Sequence, residues 1–253
     1  MIPYRDENAT LRTPVITLAI IAANVIMWLV VQGAGTPIAL AQSVCNFGLI
    51  AGEVTGRAAP GTMFPLGPGL DCATDEGRAL GHLFTSMFLH GSWMHLIGNL
   101  WFFWIFGNNI EDSMSRLRFV VFYLLGGLAA AAAQIASDPA SVAPMIGASG
   151  AISGVMGAYL VLYPKVRVYT LVPVGFFLTS ISLPAWSMLL YWMVIQLISG
   201  LMALSGSSVG GVAFFAHIGG FVAGVVLIKL FARSRDVRAH DSRQWAPRRV
   251  GWR

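Results

Sequence analysis

Six nearly uncharged stretches set the terms for any fold this chain can adopt: residues 14–31, 83–106, 119–136, 146–163, 184–204 and 212–232. A helix needs about 20 apolar residues to cross the roughly 30 Å hydrocarbon core of a bilayer. Composition agrees, with 56% of the 253 residues hydrophobic and 11% charged, against about 25% charged in an ordinary soluble domain. So much apolar surface cannot be enclosed in one aqueous core. The expected class is an all-α, polytopic membrane protein with six transmembrane helices. The first stretch is too long for a removed signal peptide and lacks a cleavage-site flank, so it reads as a retained helix.

The basic residues orient these spans. Of the sixteen Lys and Arg, only Arg57 and Arg78 fall on one side of the alternating spans, despite a loop there of about fifty residues. The rest precede the first span, occupy the second–third and fourth–fifth connections, or end the chain. Positive charge favours the cytoplasmic side, so both termini are expected there. Residues 1–13 then form a cytoplasmic segment, 14–232 the membrane domain and 233–253 a basic tail, with Trp245 and Trp252, anchored at an anionic leaflet. The net charge of +5 is spread along span flanks and forms no single patch, so a lipid bilayer and no nucleic acid is the expected partner. The outer loop, 32–82, is too long for a plain connector and is expected to have structure of its own. It holds Cys45 and Cys72, which staple the loop if that side is oxidising and remain free thiols otherwise.

Ionisable groups at membrane depth are costly and tend to be functional. The second span offers His82 at its entry, His90, His95 and Asn99; the fourth offers Ser149 and Ser153; the sixth offers His217. No Asp or Glu lies within a span, which argues against aspartyl-protease, HExxH and acid-relay transport chemistry. His90 and His95 are five apart, about 140° around a helix, and no Cys or carboxylate completes a shell. Neither a metal nor another cofactor is expected.

Depth narrows the field. Ser149 stands sixteen residues before Lys165 and His95 sixteen before Glu111, each the first charge after its span on the cytoplasmic side, and His217 stands sixteen before Arg233, beyond Lys229 at the end of its own span. At about 1.5 Å per residue all three sit roughly 24 Å above that boundary, several ångströms below the outer edge of the core. Gly150, Gly154 and Gly157 follow Ser149, and Gly220 and Gly224 follow His217. Small residues four apart let membrane helices meet backbone to backbone. His217 shares a face with Gly220 and Gly224, at i, i+3 and i+7. A hydroxyl and an imidazole on such helices can come within hydrogen-bond reach, which a base-activated nucleophile requires. Taken singly, Ser149 reads first as a packing residue and His217 as an interhelical hydrogen-bonder; the shared depth, with His95 and Asn99 nearby, gives the pair its weight.

The segments "MFLHGSWMHLIGNLWFFWIFGNNIED", "GASGAISGVMGAYL" and "AHIGGFVAG" resemble, in that order, the rhomboid family of intramembrane serine proteases. The resemblance covers about residues 80–228. It implies Ser149 as nucleophile, His217 as general base, and His95, Asn99 and the Ser149 N–H as an oxyanion hole. His90, Gly147, Gly150 and Gly220 would be structural residues near the site. It further implies single-span membrane proteins as substrates, cut beside a small residue. The chain departs from the family's pattern at Gly81-His82, where many relatives carry Trp-Arg, and at Ser153, where some carry Tyr. With no intramembrane acid, a Ser–His dyad is expected, its ring held by helix packing.

The rival readings are a catalytically silent rhomboid-like protein that holds membrane clients, and a transporter; the latter lacks inverted repeats and ion-coordinating acids. The compact chain without a transit peptide points to a bacterial inner membrane. The fifth span, read as lacking polar anchors, is the expected place for helices to part. Oligomeric state is left open.

Overall fold

The computed structural model describes residues 2–67, 69–75, 79–205 and 212–244; Arg78, Trp245, Arg248, Arg249, Trp252 and Arg253 lie outside the described residues. The chain is mostly helical. α1 (Val15–Ile26) continues through a π-helical turn to Val31. After it come α2 (Pro37–Phe47), α3 (Ala51–Val54), α4 (Ala79–Thr85), α5 (Trp93–Asp112) and α6 (Arg116–Ser137). Then follow α7 (Ser149–Leu162), α8 (Ala185–Leu204), α9 (Phe214–Phe231) and α10 (Ser234–Gln244). Among the described residues, three helices are long and apolar enough to cross a membrane: α6, α8 and α9. Val15–Val31 and α7 are shorter apolar helices.

The expected second span, 83–106, is not one helix. α4 ends at Thr85, and the chain turns before α5 starts at Trp93. Ser92 causes the restart: its Oγ accepts the His95 N–H at 3.1 Å and caps α5. His82 therefore belongs to a separate helix, and His90 lies in the turn. At its far end α5 runs on to Glu111 and Asp112, which are buried clamps and not solvated boundary charges. Glu111 accepts the N–H groups of Ile16 and Thr17 at 3.0 and 2.8 Å, binding the start of α1. Asp112 accepts the Leu11 N–H at 2.6 Å and pairs with Arg12.

The expectation of an all-α chain needs correction, because three small sheets are present. β1 (Ile2–Asp6) pairs antiparallel with β6 (Arg167–Val174), which pairs with β7 (Phe177–Pro184). This sheet joins the N-terminal segment to the connection between α7 and α8. α10 returns to the same end, where His240 Nδ1 lies 3.1 Å from Asn8 Oδ1. Both ends of the described chain thus lie at one end of the bundle. At the opposite end β2 (Leu49–Ile50) pairs with β5 (Pro144–Met145), and β3 (Met63–Gly67) forms a hairpin with β4 (Leu70–Ala73). The described part of the loop 32–82 is accordingly folded, and a Cys45–Cys72 disulfide joins α2 to β4 with 5.8 Å between Cα atoms.

The core is aromatic where α5, α6 and α7 meet. Phe103, Phe106, Phe119, Tyr123 and Tyr159 are fully buried, and Phe106 meets Tyr159 edge-on at 5.0 Å. α7 and α9 instead meet through glycine. A Cβ at Gly220 would overlap the Gly150 carbonyl oxygen, and one at Gly224 would overlap that of Gly154. A Cβ at Gly154 would stand 3.2 Å from the Gly220 oxygen. Only hydrogen side chains permit this approach, and it sets the site's geometry.

Candidate active site

Ser149 is the first residue of α7, and His217 lies in the first turn of α9. The glycine seam brings them together: His217 Nε2 is 2.8 Å from Ser149 Oγ. They share a cavity of about 760 Å³ with His95 and Asn99 from α5 and with Ala51 and Met145 from the end of the bundle that carries β2 and β5.

The other side of the imidazole is occupied by a residue that sequence reasoning passed over. His217 Nδ1 lies 2.8 Å from Oε1 of Gln196, on α8. One turn earlier on that helix, Trp192 lies over the ring, with centroids 5.7 Å apart and planes at 37°. The fifth span therefore does carry a polar anchor, and the ring is held by a hydrogen bond as well as by packing. Ser153 does not reach the base; its Oγ donates to the Ser149 carbonyl at 2.7 Å.

His95 stands where a donor is wanted. The Gly91 N–H donates to His95 Nδ1 at 3.3 Å. A neutral imidazole that accepts at one nitrogen carries its proton on the other, so Nε2–H is free to donate. That edge faces Gly147: a Cβ there would lie 2.8 Å from His95 Nε2 and 3.6 Å from Ser149 Oγ. Gly147 also has φ +125°, which disfavours any side chain. Asn99 lines the cavity, and its buried amide nitrogen has no hydrogen-bond partner within the described residues. An unspent donor in such a place suits an oxygen that acquires charge during a reaction.

His90 supports the site through its main chain. Gln32, just past the first helix, donates to the His90 carbonyl at 2.7 Å and accepts its N–H at 2.8 Å. The His90 ring packs edge-on against His95, with centroids 5.1 Å apart. Gln134 of α6 accepts the Ala216 N–H at 3.2 Å, fixing the start of α9 beside His217. At Gly81-His82, His82 Nδ1 lies 3.9 Å from Oε2 of Glu53 on α3. Among the described residues, no group of three or more His, Cys, Asp or Glu could hold a metal ion.

A family model, that of the Rhomboid domain, matches residues 78–234. The chain belongs to the rhomboid family. It is 31% identical over 176 residues to Rhomboid-like protease 5 of Toxoplasma gondii, covering 66% of this chain and 18% of that protein. It is 30% identical over 179 residues to Presenilin-associated rhomboid-like protein A, mitochondrial, of Danio rerio, covering 66% of this chain and 43% of that one. It is 25% identical over 174 residues to Rhomboid protein 1, mitochondrial, of Saccharomyces cerevisiae, covering 63% and 45%. The chain thus spans less than half the length of these three relatives. All three come from eukaryotes and two are mitochondrial by name, so they give no support to the bacterial assignment.

Proposed function

We propose that this rhomboid-family membrane protein is a serine endopeptidase that cleaves transmembrane segments of other membrane proteins. The observation that carries the reading is the 2.8 Å contact between His217 Nε2 and Ser149 Oγ, set in a cavity with His95 and Asn99. In this reading six spans cross the bilayer within residues 14–232, with 1–13 and 233–253 on the cytoplasmic side. The spans include the short α7 and the continuous α5. The shared end reached by β1 and α10 and the distribution of Lys and Arg support that topology.

His217 Nε2 takes the Ser149 proton as Oγ attacks a substrate carbonyl. The resulting oxyanion accepts hydrogen bonds from His95 Nε2–H, Asn99 Nδ2 and the Ser149 N–H at the start of α7, where the helix dipole also favours negative charge. His217 then protonates the leaving amine, and water admitted through the cavity releases the acyl group. Substrates are single-span helices that unwind readily, because a helical carbonyl is already hydrogen-bonded and shielded. The catalytic groups all belong to the protein, and no step draws on a metal or another cofactor.

The test is covalent labelling of purified protein by a fluorophosphonate, beside cleavage of a reconstituted single-span substrate. Wild type is expected to label and to cleave, and Ser149→Ala and His217→Ala to do neither while retaining their thermal midpoints. A wild type that binds membrane clients but neither labels nor cleaves would instead be a client-holding relative. Cleavage that persists in Ser149→Ala would sink the mechanism.

A further inference from the structure

The imidazole of His217 is gripped from both sides, and only one of the contacts belongs to the dyad. A glutamine Oε1 can only accept a hydrogen bond. The 2.8 Å contact with Gln196 therefore requires the proton on His217 Nδ1. Nε2 is then the bare nitrogen, and its lone pair faces Ser149 Oγ, also at 2.8 Å. The opposite tautomer would present N–H to the serine and could not take its proton. We infer that Gln196 is a positioning residue that locks His217 in the reactive tautomer, a neutral counterpart of the acid in a three-residue catalytic set. This inference rests on the proposed dyad and adds a third member to it.

Three observations support the assignment beyond the distance. Gln196 is 7% exposed, in a helix whose outward face is apolar. A buried amide is costly there unless partnered, and His217 is its partner. Trp192 and Gln196 are four apart, hence on one face of α8, so one helix supplies both the hydrogen bond and a tilted aromatic contact on the ring. Finally, an amide orients the ring without placing a second charge at membrane depth, where a carboxylate is expensive. A chain without intramembrane acids can still order its base in this way.

The test compares Gln196→Met, of similar shape but with no acceptor oxygen, with Gln196→Glu, which keeps one. Fluorophosphonate labelling of Ser149 and steady-state cleavage are read in both, with Ser149→Ala as the blank. Removing the outer partner of a metal-bound histidine costs about 10–100-fold, and a similar factor is expected for this metal-free imidazole. Gln196→Met is expected to lose that much in labelling rate and kcat with KM unchanged, and Gln196→Glu to recover most of it. Nitrogen-15 spectra of histidine-labelled wild type, assigned by difference against His217→Ala, are expected to show His217 protonated at Nδ1. This readout does not depend on how any Gln196 variant folds. Wild-type rates in Gln196→Met, no recovery in Gln196→Glu, or a wild-type His217 protonated at Nε2 would each overturn the inference and leave the dyad standing. Absence of labelling in wild type would instead remove the dyad itself.

Discussion

Adding one methyl group at Gly220 separates a catalytic seam from an ordinary small-residue contact. The new Cβ would overlap the carbonyl oxygen of Gly150, the residue after Ser149, and would stand 3.4 Å from Ala130 Cβ. The first obstacle is backbone, so no rotamer change relieves it. Ordinary contact lies near 3.5 Å, so α7 and α9 must part by roughly 1.5 Å at that point. Passed on to the dyad, that displacement stretches the 2.8 Å contact between Ser149 and His217 to roughly 4.3 Å, which is no hydrogen bond. Overpacking of this kind costs about 1–3 kcal/mol of stability. Loss of general-base assistance costs about 10²–10⁴ in rate. Gly220→Ala is therefore expected to fold with a lowered thermal midpoint and to label with fluorophosphonate at least about 100-fold more slowly. Gly154→Ala, whose Cβ would meet the Gly220 oxygen at 3.2 Å, needs only a few tenths of an ångström and is expected to fall between Gly220→Ala and wild type. Gly98→Ala on α5, where a Cβ meets open space, should match wild type. Equal labelling rates and midpoints in Gly220→Ala and Gly98→Ala would refute the claim that this seam sets the dyad distance.

Three further outcomes are expected. Asn99→Ala should lower kcat by about 10²–10³ with little change in KM, because its amide serves the developing oxyanion and not the resting substrate; a loss confined to KM would contradict this. Asp6 accepts the Tyr159 hydroxyl at 2.5 Å, and burial, the dominant cause, raises its carboxyl to about 7 despite that hydrogen bond. The folded state thus holds a proton that the unfolded chain releases near pH 4, so stability contributed by Asp6 is full below about pH 4 and lost as pH rises through about 7. The thermal midpoint should therefore fall across that window in wild type and fall less in Asp6→Asn; identical slopes would exclude Asp6 as the titrating group. Breaking the Cys45–Cys72 bond, which closes a separation of 27 residues, should release at most about 3.5 kcal/mol of chain-entropy stabilisation. Cys45→Ser/Cys72→Ser is then expected to expose the 49–75 region to proteolysis while Ser149 still labels; loss of labelling with an intact loop would contradict that division.

What the sequence disclosed, and what it withheld, follows from how each feature is encoded. Ser149, His217 and His95 were legible because they are rare polar residues at matched depth, the first two flanked by glycines at interpretable spacing, whereas Asn99 took its role from the family resemblance. The hairpin of β6 and β7 was equally written in the chain: "RVYTLV" and "FLTSIS" are rich in strand-forming residues around Gly175, which has φ +59°. A two-residue turn beginning with such a glycine is a hairpin signal. Beside six long apolar spans, so short a pair of strands reads as a mere connection. The pairing of β1 was less accessible, since five residues including a proline carry little alternation, and its partner lies more than 150 residues away. The break before α5 was hidden because "FLHGSWMHL" stays apolar on average, while the cap at Ser92 depends on one hydroxyl.

Gln196 shows why an inventory of polar groups in a membrane site must take in every side-chain amide. Ser187 and Ser199 share the fifth span with it, but a hydroxyl can be satisfied by its own helix, as Ser187 is by the Pro184 carbonyl at 2.8 Å. A glutamine amide is larger, and when buried among apolar helices it requires a partner of its own. The question to put to residues 184–204 was therefore where a lone side-chain amide would find one. An imidazole at membrane depth, with one nitrogen committed to a serine and the other unassigned, was the available answer. The missing acid pointed the same way: a base that must keep one tautomer needs an acceptor behind it, and in a chain with no intramembrane carboxylate that acceptor has to be neutral.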